Sequence, residues 1–284
     1  MELCTSTIDL KRRLKEMKSS YALIPTMGSL HEGHLSLIKL AKPRAAKTIV
    51  TLFVNPHQFN DAADFEKYPR NIAKDIGLLE SIGTDFVFAP AATKDIFHPE
   101  FESWIVPEPL SQKWEGASRP GHFKGVASVV AVLFSLIKPT AAVFGEKDFQ
   151  QLRIIENLTR DLQLGIEIVR CPIIREEGGL ALSSRNVRLS SNGKSSALAL
   201  SSSLKVARDA FVGGERRADV LKNLIVEMVN AEASVKLDYA AIVTEKNLNE
   251  LTGEISNELL PIRALIAAEI EGVRLIDNME LRAV

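Results

Sequence analysis

Two histidines lie close together in a glycine-containing segment near the N-terminus, Met27-Gly28-Ser29-Leu30-His31-Glu32-Gly33-His34. Imidazole rings can donate hydrogen bonds to a phosphate whose negative charge grows in a transition state. Gly28 and Gly33 would let the backbone approach a ligand closely. The segment therefore predicts a phosphate-binding loop, and the alternative is a polar loop with two exposed histidines.

A second charged segment, Gly145-Glu146-Lys147-Asp148, follows the apolar run Ala141–Phe144. Lys147 could neutralise phosphate charge as a mobile point cation. Asp148 could accept hydrogen bonds from ribose hydroxyls, as acidic residues at strand ends do in nucleotide-binding folds. The alternative is a charged turn in which Asp148 caps the following helix.

A third segment, Leu182-Ser183-Ser184-Arg185-Asn186, combines hydroxyl groups with a guanidinium. On a mobile loop these groups suit a phosphate clamp that closes over a ligand. Alone, the motif is also typical of an ordinary loop.

A fourth segment, residues 53–59, places Asn55 and Gln58 where an apolar run ends in a polar loop. These neutral groups suit a hydroxylated or amide-forming substrate better than a phosphate. An Asn-Pro turn would account for Asn55 and Pro56 but not for Gln58.

The fifth segment, residues 114–123, is dense in glycine, proline and arginine and predicts a shaped loop near the site. Arg119 is a candidate partner for a carboxylate. His122 could equally be a structural residue that bonds within its own loop.

Strands and helices alternate along the first part of the chain, and ligands bind at the carboxyl ends of strands in such folds. Apolar runs predict the strands, and periodicity of about 3.6 residues predicts the helices. The predicted strands are 21–25, 48–54, 85–89, 141–144 and 166–170. One predicted helix begins near His34, and three others cover 71–82, 125–137 and 149–162.

The pattern changes after about residue 173, where helix-like segments at 194–211 and 217–233 precede strand-like runs at 237–243, 264–270 and 273–276. We therefore predict an α/β protein with a Rossmann-like, doubly wound parallel sheet in residues 1–173. Residues 174–284 are predicted to form a second, smaller α+β domain.

Composition excludes several classes of protein. The formal net charge of -1 provides no global attraction to nucleic acid or to a membrane. Cys4 and Cys171 lack the spacing of a zinc site or a disulfide framework and suit a reducing cytoplasm. Basic residues interrupt the N-terminal segment, so no signal peptide is expected, and no apolar run reaches transmembrane length.

Together these segments resemble the pantothenate synthetase family of His-x-Gly-His nucleotidyltransferases. The similar stretches fall in the family's order and cover most of residues 24–240. They are PTMGSLHEGHLSLI, FVNPHQF, DFEKYPRN, EGASRPGHFKGV, VFGEKDFQQL, REEGGLALSSRN and LDY. Position 29 is Ser where Ala is usual in the family, and 182 is Leu where Met is also common; neither change removes a functional group.

The resemblance implies a ligase that joins pantoate to β-alanine through pantoyl adenylate, with ATP as co-substrate and Mg²⁺ accompanying the triphosphate. It also implies a homodimer in the cytoplasm. Residues 1–173 would bind nucleotide and pantoate, and residues 174–284 would form a lid.

The resemblance further implies roles for individual residues. His34 is the expected catalytic proton donor, with His31 and Lys147 as further catalytic residues. Gln58 and Gln151 would bind pantoate, Gln58 also lying near β-alanine, with Asn55 and Arg119 in support. The expected ATP-binding residues are Met27, Gly28, Ser29, Leu30, His31, Glu32, Gly33, His34, Gly145, Glu146, Lys147, Asp148, Ile174, Leu182, Ser183, Ser184 and Arg185.

Three rival functions remain. A nucleotidyltransferase acting on a phosphorylated substrate would need a second cationic site, whereas Asn55 and Gln58 are neutral. An aminoacyl-tRNA synthetase would need a basic tRNA-binding module, and none is evident. A nucleotide sensor without turnover could dispense with Gln58, Gln151 and Lys147, all of which are present.

Overall fold

The computed structural model describes residues 1–282, and their contacts group them into two units. The first unit comprises Met1–Glu146 and Gln150–Pro172. The second comprises Lys147–Phe149 and the described residues from Ile173 onward. The separate binding and lid roles of residues 1–173 and 174–284 stay predictions, and residues 283 and 284 of the second range lie outside the described part of the chain.

The first unit contains a six-stranded parallel sheet. Its strands are β1 (Glu2–Cys4), β2 (Tyr21–Thr26), β3 (Lys47–Leu52), β4 (Phe86–Phe88), β5 (Ala141–Gly145) and β6 (Glu167–Cys171). They are ordered β1-β4-β3-β2-β5-β6. The order changes direction between β2 and β5, so the loops after these two strands flank the point where such sheets bind ligands.

Six helices belong to this unit. They are α1 (Thr7–Met17), α2 (Glu32–Ala41), α3 (Ala62–Glu66), α4 (Ile72–Ser81), α5 (Glu115–Ser118) and α6 (His122–Ile137). A seventh, α7 (Phe149–Asp161), begins with one residue of the second unit. Because successive side chains of a strand face opposite sides, Ala22 and Ile24 share one face, where they pack with Ile38 of α2 and Leu79 of α4. This packing fixes the helix that begins directly after the histidine loop.

The second unit is an α+β arrangement with an antiparallel sheet in the order β7-β8-β9. Its elements are α8 (Ser191–Val212), α9 (Ala218–Asn230), β7 (Val235–Thr244), β8 (Ile262–Ile270) and β9 (Val273–Glu280). Leu204 of α8 and Ile225 of α9 pack on Ile266 of β8 in one apolar core.

The predicted α/β class, with its parallel sheet and smaller α+β unit, is confirmed. Four elements were not predicted, β1, α1, α3 and α5, and the helix predicted to begin near His34 begins at Glu32. Among the described residues, no helix combines the length and apolar character that crossing a bilayer requires.

Candidate active site

The loop after β2 is shaped by two consecutive residues in the left-handed region, Gly28 (φ 79°) and Ser29 (φ 53°). This conformation directs the backbone N–H groups of Ser29 and Leu30 to the two carboxylate oxygens of Asp75, each at 2.8 Å. Asp75 lies on α4 and is 2% exposed. A buried carboxylate of the protein thus holds the loop in shape before any ligand arrives.

Asp75 also explains the glycine at position 28. A Cβ built there would lie 2.9 Å from Asp75 Oδ2, in addition to the unfavourable φ. Glycine is therefore required at position 28 because the carboxylate of Asp75, a residue of the protein itself, comes so close to it. The neighbouring Thr26 hydroxyl accepts the N–H of Gly28 at 3.2 Å, which continues the same network.

His31 and His34 form the capping box of helix α2. His31 is the N-cap, and its Nδ1 accepts the N–H of Gly33 at 3.2 Å. Nδ1 of His34 accepts the N–H of His31 at 3.3 Å. A ring nitrogen that accepts a hydrogen bond carries no proton, so the proton of each neutral ring is assigned to Nε2. Both rings can therefore donate from Nε2 beside the positive end of the helix dipole.

The loop after β3 holds the amide of Gln58 at both ends. Its Oε1 accepts the side-chain amide of Asn55 at 3.2 Å, and its Nε2 contacts the sulfur of Met27 at 2.9 Å. Asn55 is 1% exposed and also donates to the carbonyl of Gly125 at 3.1 Å. The amide predicted to bind substrate is thus in contact with the first residue of the histidine loop.

Arg119 and His122 hold the backbone of the same residue. The carbonyl of Gln58 lies 2.7 Å from His122 Nδ1 and 3.2 Å from Arg119 Nη2. Arg119 Nη1 lies 3.1 Å from His122 Nε2, so donation by arginine at Nε2 leaves the ring proton on Nδ1, where it faces the carbonyl. In these contacts both side chains support Gln58, which gives His122 the structural role that the sequence left open.

Helix α6 packs directly against this loop at Gly125. A Cβ at Gly125 would lie 2.1 Å from the carbonyl oxygen of His57, so only glycine permits the contact. His57 packs at 4.8 Å, ring centre to ring centre, from Trp104. Partial desolvation of the ring lowers the pKa of His57, and the positive charge of Lys124 lowers it further.

The two adjacent glutamines at the start of α7 have different environments. Gln150 is buried, donates to the carbonyls of Leu110 and Lys113 at 2.7 and 2.8 Å, and accepts the N–H of Glu115 at 3.0 Å. It is a structural residue that holds the loop before Arg119. Gln151, the residue predicted to bind pantoate, is half-buried.

Of the other residues predicted to bind ATP, Gly145 and Glu146 belong to the first unit, whereas Lys147, Asp148, Ile174 and residues 182–185 belong to the second. Lys147 and Ser183 line one cavity together with Asn186 and Asp277. Lys147 Nζ lies 3.5 Å from Asp148 Oδ1. Leu182 donates its N–H to the carbonyl of Ile174 at 2.9 Å. The structure thus brings Lys147, Ser183 and Asn186, which come from two of the predicted segments, to one small cavity within this unit.

The serine segment is a tight turn. Ser183 Oγ accepts the N–H of Arg185 at 3.2 Å, and the amide of Asn186 donates to Glu176 and to the carbonyl of Ala181, both at 3.1 Å. Asn186 is buried, and its Oδ1 has no hydrogen-bond partner among residues 1–282. A buried acceptor without a partner is costly unless a ligand or water supplies a donor.

Three polar residues with evident positioning contacts were not singled out from the sequence: Asp75, Asp277 and Asn278. Asp75 resembles an ordinary solvated acid in the first turn of a helix, since its partners lie over forty residues away. Asp277 and Asn278 follow the apolar run that defined the predicted strand 273–276. No local signal would have identified them.

Comparison with known proteins gives one consistent result. A family model described as pantoate-beta-alanine ligase matches residues 2–280. A pantothenate synthetase of Rubrobacter xylanophilus is 46% identical, with 96% of this chain and 95% of that protein covered. One from Dehalococcoides mccartyi is 43% identical, with 96% of this chain and 100% of that protein covered.

Solved structures agree. A pantothenate synthetase from Thermus thermophilus superposes with a TM-score of 0.93 at 37% identity over 100% of both chains. A pantoate-beta-alanine ligase from Francisella tularensis, complexed with beta-gamma ATP and beta-alanine, gives 0.80 at 32% identity, covering 100% of this chain and 99% of that one.

Proposed function

Because the chain belongs to the pantoate–β-alanine ligase family, we infer that it joins pantoate to β-alanine at the expense of ATP and is a pantothenate synthetase. One contact supports this function in particular. Gln58, a neutral amide suited to an acid with hydroxyl groups, touches Met27 at the start of the phosphate loop. Adenylation requires such proximity, since the substrate carboxylate must reach the α-phosphate.

The reaction has two half-steps. In the first, a carboxylate oxygen of pantoate attacks the α-phosphorus of ATP, and the bond to the bridging oxygen breaks to release pyrophosphate. In the second, the amine of β-alanine attacks the acyl carbon, loses a proton, and releases AMP as pantothenate forms. The mixed anhydride supplies the activation that amide formation in water requires.

We propose that His34 and Lys147 stabilise the first transition state. Nε2–H of His34, beside the N-terminus of α2, would donate to the phosphate region as charge moves onto the leaving pyrophosphate. His31 would contact the phosphates next to it, and Lys147 would neutralise them as a point charge. The shared capping box supports the pairing of the two histidines.

The other nucleotide contacts are proposed from the family resemblance. Asp148 would accept the ribose hydroxyls, and Ile174 with residues 182–185 would complete the site. Lys147 and Ser183 line a common cavity of about 10 Å³, which is the size of one water molecule, so the two residues lie close together.

For pantoate, we propose that Gln58 and Gln151 bind the substrate, with Gln58 also near β-alanine. Asn55 and Arg119 would act as supports, which fits their hydrogen bonds to Gln58. A preorganised amide pays less conformational entropy on binding than a free one.

We propose that Mg²⁺ arrives with the triphosphate. No group of three or more His, Cys, Asp or Glu side chains suited to a metal ion occurs in residues 1–282, so the ligands would be mainly phosphate oxygens and water, as Mg²⁺ prefers. When bound, the ion would neutralise part of the phosphate charge.

The proposed setting is the cytoplasm, where two free, buried thiols such as Cys4 and Cys171 are stable. A homodimer is proposed from the family resemblance. Residues 174–284 are proposed as the lid that protects the adenylate from water.

Exchange of labelled pyrophosphate into ATP tests this function. We expect exchange that requires pantoate and proceeds without β-alanine, because the first half-step is reversible. Exchange with a phosphorylated substrate instead would indicate another nucleotidyltransferase. ATP binding without any exchange would indicate a nucleotide sensor and contradict the proposal.

A further inference from the structure

Two adjacent polar residues near the end of β9, Asp277 and Asn278, are almost completely buried in the second unit, at 4% and 3% exposure. Buried polar groups are costly unless they are fully hydrogen-bonded. Each of these side chains is bonded to a different segment, and those segments carry residues assigned above to the nucleotide site.

Asn278 holds the backbone of Lys147. Its Nδ2 donates to the Lys147 carbonyl at 2.9 Å, and its Oδ1 accepts from Arg263 Nη1 at 2.6 Å. Because both ends of the amide are engaged, the side chain cannot rotate without losing a hydrogen bond. The position of the Lys147 backbone is therefore tied to β9.

Arg263 secures the same segment from its other end. Its guanidinium is 3% exposed, donates from Nε to Glu245 at 2.7 Å, and lies 3.9 Å over the ring of Phe149. A buried cation with a carboxylate partner resists displacement, because separating the pair would leave an uncompensated charge. Lys147 and Phe149 are thus held by one connected group of side chains.

Asp277 holds the segment that leads to Ser183. Its two oxygens accept both terminal nitrogens of Arg175, at 2.6 and 2.9 Å. Arg175 also donates to the carbonyl of Gly179 at 3.0 Å, and residue 175 pairs with Ala181 as an isolated bridge. The bidentate pair therefore fixes the turn that immediately precedes the serine segment.

We propose that Asp277 and Asn278 are positioning residues for adenylation, Asn278 acting through Lys147 and Asp277 through the Ser183 segment. This inference rests on the proposed function, since it assumes that Lys147 and Ser183 contact ATP. Lysine carries its charge on a flexible stem, so the position of its backbone limits where the ammonium can reach. Two adjacent residues of one strand thereby set the spacing of two nucleotide-binding segments.

The test is a double-mutant cycle on single-turnover formation of pantoyl adenylate. Asn278→Asp keeps the size of the side chain and the acceptor for Arg263 but replaces the donor to the Lys147 carbonyl with an oxygen. We expect a loss of roughly 10- to 100-fold, as small misplacements of catalytic groups produce. In the Lys147→Ala background there is no ammonium left to position, so the same substitution should change the rate by no more than about 2-fold. That is within the usual error of a mutant cycle.

Asp277→Asn tests the second segment. It removes the charge that pairs with Arg175, and we expect a loss of rate in both the parent and the Lys147→Ala background, because it acts through Ser183. The apparent KM for pantoate should stay unchanged in all variants. Glu280→Gln is the matched control, an acid-to-amide change on the same strand whose side chain makes a surface ion pair with Arg282.

Equal losses from Asn278→Asp in both backgrounds, or a rate within about 2-fold of the parent, would overturn the inference for Asn278. Asp277→Asn at the parent rate would overturn it for Asp277. If Asn278→Asp does not fold, Asn278→Ala removes the same donor without adding charge and is judged by the same criterion. A Lys147→Ala protein with parental turnover would contradict the proposed role of Lys147 itself, a result distinguishable from failure of the positioning inference.

Discussion

At the scale of single residues, the site depends on where protons and amides are held. Backbone N–H groups occupy Nδ1 of both loop histidines, which assigns the ring proton to Nε2, the atom that we propose donates to phosphate. This assignment could not be made from the sequence. The His-x-Gly-His spacing predicted two nearby rings, but their tautomers follow from the capping box, which depends on where the helix begins.

His34→Ala and Lys147→Ala should lose most of the adenylation rate while still folding and binding ATP. Removing one preorganised donor to a developing charge typically costs about 10²–10³ in turnover. Single-turnover formation of pantoyl adenylate at saturating ATP is the measurement. His98→Ala, at an exposed histidine, is the control. An adenylation rate within a few-fold of the parent in His34→Ala would refute its role.

Gln58→Ala and Gln151→Ala should weaken binding of pantoate more than binding of an unreactive ATP analogue. Losing a buried polar partner typically costs ~1–3 kcal/mol. Calorimetric titration with each ligand separates the two effects, and Gln112→Ala serves as the exposed control. If a variant binds pantoate with unchanged affinity, the substituted residue does not contact the substrate.

At the scale of secondary structure, uninterrupted apolar runs identified the strands that carry the site. Residues 48–54 and 141–144 were predicted and correspond to β3 and β5. The start of α2 was placed late because histidine is not a usual N-cap. Helix α1 was not predicted, although Leu10, Leu14 and Met17 recur at helical spacing. β9 was predicted too short, since Asp277 and Asn278 look like surface residues until Arg175 and Arg263 are known to pair with them.

Gly125→Ala should destabilise the contact between α6 and the loop after β3. The added methyl group would lie 2.1 Å from a backbone oxygen, and overpacking of this kind typically costs about 1–3 kcal/mol. Urea denaturation measures the change in the free energy of unfolding. Gly77→Ala on α4 is the matched control: nothing lies within 4 Å of its Cβ, and alanine favours a helix by up to about 1 kcal/mol. Equal stability of the two variants would contradict the close packing at Gly125.

At the scale of the whole molecule, the ring of His57 should make the free energy of unfolding depend on pH. Its pKa is lowered in the folded state, chiefly by partial desolvation of the ring, so the unfolded chain binds more protons as the pH falls. The contribution of this ring is therefore fully present above the ordinary histidine pKa of about 6.5 and is lost on further acidification.

Denaturation of the parent and of His57→Gln across this pH range isolates the effect, because all other groups are shared. The parent should lose more stability than the variant as the solution becomes acidic. His98→Gln is the matched control at a second surface histidine. Parallel curves for the parent and His57→Gln would show that the ring titrates normally in the folded protein.

Lys147–Phe149 belong to the second unit although their neighbours in the sequence belong to the first, and this limits how the chain can be divided into fragments. No single cut releases that unit whole: a fragment that starts at Ile173 lacks the carbonyl that accepts from Asn278 and the ring beneath Arg263. We expect amides of β8 and β9 to exchange with solvent faster in such a fragment than in the intact chain. Equal protection would show that these three residues contribute nothing to the unit.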